Sequence, residues 1–184
     1  EMKNMKHHLY DIKRGTSENI HPLAIEFETK MIRADAVGRK CEELKKKGFN
    51  PDLIINHPGW GETFLLKEIW PEAKTLTYFE FYYNTSGSDI DFDTEEDHNI
   101  NPDYELISRL TARNAPGLMM YLNSDKLISP TNFQKNTAPE LFRNKITVIH
   151  DGIDTEVIKP KKNVTLNLKG NNDRNIVLSE KDKI

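Results

Sequence analysis

The sequence predicts an α/β fold, a mainly parallel sheet flanked by helices. Three observations carry this. Short apolar runs such as Leu53-Ile54-Ile55 and Ile146-Thr147-Val148-Ile149 have the length and β-branched content of buried strands. Amphipathic or helix-like stretches at 22–47, 63–70 and 102–123 stand between such runs. Strand and helix alternate four times, which indicates βα units and therefore parallel neighbours.

Taken in order, 2–12 carries a weak alternation that predicts an edge strand, broken by Arg14-Gly15-Thr16-Ser17. His7 and His8 would point to opposite faces of that strand and could not easily share a metal ion. From Pro22 to Lys47, Phe27, Met31, Ala34, Val37, Cys41 and Leu44 form one helical stripe, and Gly48 stops it. His21 stands where it could cap this helix or instead point into a crevice, with capping or simple exposure expected. Leu53-Ile54-Ile55 is a buried strand, 63–70 a short helix closed by Pro71, and 75–81 the strongest strand. A long polar loop follows, rich in carboxylates from Asp89 to Asp97. Asp89, Asp91 and Asp93 alternate as a calcium loop might, but no glycine sits at the required place, so a solvated acidic loop is expected. A helix over 102–123 carries Arg109 and Arg113 one turn apart, with Pro116-Gly117 as a kink. Strands at 126–129 and 146–150 complete the sheet. Beyond Pro160 the composition turns to Lys, Asn, Asp and Gly, so 1–160 is expected as the domain and 161–184 as a linker or edge hairpin.

At 184 residues the chain can bury one proper core. Its 26 basic residues are offset by 29 acidic ones, a net charge of −3, which argues against nucleic acid as a partner. The single Cys41 excludes an intrachain disulfide and, in its helical stripe, reads as a structural thiol. No apolar run reaches the roughly 18 to 20 residues of a membrane span, and the start has no signal-peptide pattern. The expected compartment is the cytoplasm, with a peripheral place on the inner membrane face left open. The opening Glu1, with no initiator Met, suggests an excised chain.

The chain is organised around Asn56-His57-Pro58-Gly59-Trp60-Gly61-Glu62-Thr63, where a strand runs into a tight turn and a helix start. Pro58 fixes one backbone angle, and Gly59 and Gly61 permit sharp turning and close approach. In open α/β sheets ligand crevices lie past the carboxyl ends of strands. Amides around Gly59 to Glu62 could there stabilise an anion. Two roles stay open for each neighbour. His57 acts in the crevice or bonds a nearby loop; Trp60 stacks on a sugar or covers the core; Tyr82 and Tyr83 line a groove or pack. A nicotinamide-dependent oxidoreductase is disfavoured because no GxGxxG follows a predicted strand.

Four motifs together are more specific: HPGWGE at 57–62, YFEFYY at 78–83, LISPTNFQ at 127–134 and VIHDGIDTEVIKP at 148–160. They resemble the amino-terminal, acceptor-side half of a bacterial family 4 glycosyltransferase of the GT-B type, with two facing Rossmann-like domains. The resemblance runs from about Leu23 to Pro160. It implies transfer from a nucleotide-sugar donor with retained configuration, without a metal or other cofactor. It also implies that an absent carboxy-terminal domain binds the donor and that the acceptor is a carbohydrate or is lipid-linked. A homo-oligomer stays open. A first strand with a glycine-rich loop would normally precede Met2. Glu80 stands roughly where many relatives carry a histidine that contacts the donor sugar. It could bind sugar hydroxyls, act as a base, or merely pair with Arg109 or Arg113. Glu80 and His57 are therefore the candidate catalytic residues. Gly59, Trp60, Gly61, Glu62, Tyr82, Tyr83, Arg113, Asp151 and Gly152 are the candidate substrate-binding residues, the last two through the DGID loop. The rival class is a non-catalytic sugar- or anion-binding module that docks a separate donor-binding chain.

Overall fold

The computed structural model describes residues 5–90, 103–170 and 175–179. The chain divides into two compact units, 1–150 and 151–184. In the first, helices α1 (Ile25–Lys46), α2 (Leu66–Ile69), α3 (Tyr104–Leu122), α4 (Asn132–Thr137) and α5 (Glu140–Arg143) accompany strands β1 (Leu53–Asn56), β2 (Lys74–Tyr78), β3 (Lys126–Ser129) and β4 (Ile146–Val148). The strands pair in the order β1-β2-β3-β4, every pair parallel. This is the Rossmann-like arrangement that the alternation of apolar runs and helices predicts.

Local chemistry explains the element ends. His21 precedes a 3-10 turn, Pro22–Ala24, and its Nδ1 accepts from the Leu23 amide at 3.2 Å, so it caps as expected. At the other end of α1, Gly48 takes φ 89° while its own amide and that of Phe49 bond back to Lys45 and Leu44. Lys45 donates to the Ile69 carbonyl at the end of α2. Asp103 accepts from the Leu106 amide and starts α3, which continues through the buried Pro116. The short helix expected over 63–70 is hydrogen-bonded as α-helix only at 66–69, with turns over 62–65.

One face of the sheet holds the core. Ile54 packs with Ile69, Trp70 and Ala73 under Cys41 and Leu44. Leu127 and Ile146 pack with Phe79, Tyr121, Ala138 and Phe142. Ala34, Phe64 and Met120 bring α1 onto α3. Burial pushes the Cys41 thiol pKa up, as suits a packing side chain. On the alternate positions Leu53, Ile55 and Ile149 are exposed, Ile55 by 68%. Phe27, placed on the apolar stripe by its spacing, is exposed as well, because it lies in the first turn of α1, ahead of the packed Ala34 and Gly38.

One further expectation is corrected. Residues 5–12 form no strand; the segment has no ladder partner and is held by side chains instead. Tyr10 donates to Glu62, while Arg14 and Ser17 both donate to Glu28. The expected acidic loop lies, from Asp91 onward, outside the described residues. In the second unit, β5 (Thr165–Lys169) and β6 (Asn175–Ser179) pair antiparallel, so the polar carboxy-terminal stretch does hold a hairpin.

Candidate functional site

Parallel strands bring their carboxyl ends to one edge, so residues that follow adjacent strands become neighbours whatever their separation in sequence. His57 follows β1 and Glu80 follows β2 after the wholly buried Phe79. His57 Nε2 lies 3.1 Å from Glu80 Oε2. Glu80 thus pairs with the histidine, and the alternative partners Arg109 and Arg113 are not the ones it takes. The imidazole is fixed from its other side, since Nδ1 accepts from the Gly59 amide at 3.1 Å. A nitrogen that accepts carries no proton, so the neutral ring holds its proton on Nε2 and donates to Glu80. Stacking on Tyr78, centroids 5.5 Å apart, adds a third constraint.

The turn itself is a 3-10 turn, Pro58–Trp60, with His57 at its start. A Cβ on Gly59 would stand 2.7 Å from the His57 ring, so glycine there lets the imidazole fold over the turn. Its hydrogen bond to His57 Nδ1 takes the Gly59 amide out of the set expected to face an anion. Gly61, at φ 93°, would carry its Cβ 2.5 Å from the Lys30 carbonyl of α1. Its close approach is to a helix. Glu62 turns to the same side, bonding Tyr10 at 3.1 Å and lying 3.9 Å from Arg33.

A cleft of about 670 Å³ opens over these groups. It gathers His57, Gly59, Trp60, Glu80, Tyr82, Tyr83 and Arg113 from the sequence-derived set; Gly61 and Glu62 are not in its lining. Asp151 and Gly152 begin the second unit, where Gly152 takes φ 88°. Several contributors, Tyr121 among them, escaped the sequence reading. Glu26 and Lys30, an ion pair at 3.4 Å, come from α1, and Asn114 comes from α3. Asn114 accepts from the Tyr83 amide at 3.0 Å and donates to the Tyr83 carbonyl at 2.8 Å, pairing with that peptide as a strand would. A buried Asn inside a helix was the signal available, because such residues disfavour helix interiors unless their amide is used.

Aromatic groups shape the wall. Arg113 bonds the Tyr83 hydroxyl at 2.8 Å and lies over its ring, 3.8 Å from the centroid. Among the described residues no carboxylate pairs with Arg113. Tyr82 is tied through its amide to Thr137, and Phe81 packs near Tyr83 and Phe133. Tyr121, also in the lining, has its hydroxyl pKa pushed up by burial and then by the Glu80 carboxylate. The cleft therefore offers a carboxylate with a bonded imidazole, one cation without an acidic partner among the described residues, and several aromatic faces. Among the described residues no three His, Cys, Asp or Glu side chains converge as a metal set would.

These features define a Rossmann-like α/β domain with an open, polar and aromatic cleft past its strand ends. Such a site suits a polyhydroxylated ligand better than a purely apolar one. The family model described as the glycosyl transferase family 4 group matches residues 1–158, and the chain belongs to that family. No curated protein matches it significantly. Among the described residues no helix is long and apolar enough to cross a membrane.

Proposed function

We propose that this chain is the acceptor-side half of a retaining glycosyltransferase that moves a sugar from a nucleotide-sugar donor to a carbohydrate or lipid-linked acceptor. The observation that carries the reading is the His57–Glu80 pair at the adjacent ends of β1 and β2, opening into the cleft. Glycosyl transfer passes through an oxocarbenium-like state, so it calls for hydrogen-bond partners for hydroxyls and for developing charge more than for a strong nucleophile. Glu80 accepts the bond of the acceptor hydroxyl, and His57 holds the carboxylate in place. Trp60 and Tyr82 give apolar faces for a sugar ring, and Arg113 with Tyr83 meets polar substituents at the far wall. The donor diphosphate is met by a second α/β domain, and the present half does not turn over alone. The setting is cytoplasmic.

The test is to join the chain to a donor-binding domain, supply nucleotide sugars in turn, and read the product's anomeric configuration by NMR. Transfer with retained configuration supports the reading. Sugar binding without transfer for any donor would favour the rival, a binding module that docks a separate chain.

A further inference from the structure

Trp60 poses a physical problem. The residue is 66% exposed at the lip of the cleft, where it ends a three-residue turn between Gly59 and Gly61. An exposed indole between two glycines would ordinarily sample several rotamers, and a ring that wanders makes a poor stacking surface. Here one side of the ring is occupied. The Arg33 guanidinium from α1 lies 5.7 Å from its centroid. Arg33 is itself held, because its Nη1 is 3.9 Å from Glu62 Oε1. The same Glu62 oxygen accepts from the Tyr10 hydroxyl at 3.1 Å, and the Arg33 charge also acts on Tyr10.

Tyr10 is not placed by chance. Its segment is anchored a turn further on, where Glu28 takes the Arg14 guanidinium at 2.7 Å, the Ser17 amide at 2.9 Å and the Ser17 hydroxyl at 2.7 Å. Three separate pieces of chain, the amino-terminal segment, α1 and the turn after β1, thus meet at one carboxylate.

We propose that Tyr10, Glu62 and Arg33 form a bracket that sets the orientation of the Trp60 ring, leaving the ring's other face for a bound sugar. Glu62 is then a positioning residue rather than a ligand to substrate. The amino-terminal segment becomes part of the acceptor site without touching the acceptor. The functional half of this inference rests on the reading of the cleft given above; the bracket does not.

The test needs no substrate, so its failure is separate from any failure of that reading. The protein has two tryptophans, so labelling with 5-fluorotryptophan gives two fluorine resonances, assigned with Trp60→Phe. Tyr10→Phe removes one hydroxyl from an exposed segment and leaves the fold intact. It should move or broaden the Trp60 resonance by more than its linewidth and leave that of the buried Trp70 in place. Arg33→Met should move the Trp60 resonance the same way, with the melting temperature close to that of the parent. A Trp60 resonance that stays within one linewidth in Tyr10→Phe, or a Trp70 resonance that moves as far, would overturn the bracket.

Discussion

Gly61→Ala should be the most damaging small change in the turn. Two costs act together there. At φ 93° an alanine is in the left-handed region, at about 1–2 kcal/mol. Its Cβ would also lie 2.5, 2.6 and 2.7 Å from the Lys30 carbonyl oxygen, Cβ and Cα, against ordinary contacts of 3.4–4 Å. Two of those three atoms are helix backbone and cannot swing aside, so α1 or the turn must shift, at about 1–3 kcal/mol. The sum is about 2–5 kcal/mol, a large part of the 5–15 kcal/mol that a domain usually has. Gly48 is the matched control, with φ 89° and nothing within 4 Å of its Cβ position. Gly48→Ala therefore carries the backbone strain alone. The gain from a stiffer unfolded chain is common to both and cancels. In urea, with a slope of about 2 kcal/mol per molar, Gly61→Ala should lower the midpoint by about 1–2.5 M and Gly48→Ala by less than about 1 M. Equal midpoints for the two variants would refute the packing argument.

Two further outcomes follow from the geometry. The Glu28 carboxyl is held below its ordinary pKa by the two Ser17 bonds and then by Arg14, so its contribution is present at neutral pH and lost as pH falls below 4.5 through the lowered value. The protection factor of the Ser17 amide, corrected for intrinsic exchange, should drop below about pH 4 while those of β2 and β3 hold; a uniform loss would deny the anchor. Thr75 Oγ1 is buried without a hydrogen-bond partner among the described residues, so Thr75→Val should leave stability unchanged or raise it by up to about 1–2 kcal/mol. A loss above about 1 kcal/mol by thermal unfolding would show that the hydroxyl is bonded.

Much of the sheet was legible because its signals are local. A run such as Leu53-Ile54-Ile55 needs only its own composition to read as a strand, and His21 before Pro22 needs only its neighbours to read as a cap. The His57-Pro58-Gly59 turn was legible too, though not the reason for its glycines: one admits the His57 ring and the other admits Lys30. What escaped is non-local. Glu80 finds His57 only because β1 and β2 are parallel neighbours in register. Lys30 and Glu26 reach the cleft because α1 crosses it, and a charged pair one turn apart looks the same on any solvated helix. The segment at 5–12 misled for a related reason. Its weak alternation resembles a strand, but with no neighbouring strand to pair with it is held by single side chains such as Tyr10.

The most direct measurement is the transfer rate of Glu80→Gln set beside its melting temperature, with the chain joined to a donor-binding domain as the proposed function requires. Glu80 is 61% exposed on its side chain, and the amide can still meet His57, so the fold should be unaffected. The account predicts a fall in kcat of about 10²-fold or more, with the melting temperature within about 1 °C of the parent. An unchanged kcat would contradict it, and so would a loss of activity that merely follows a loss of folding.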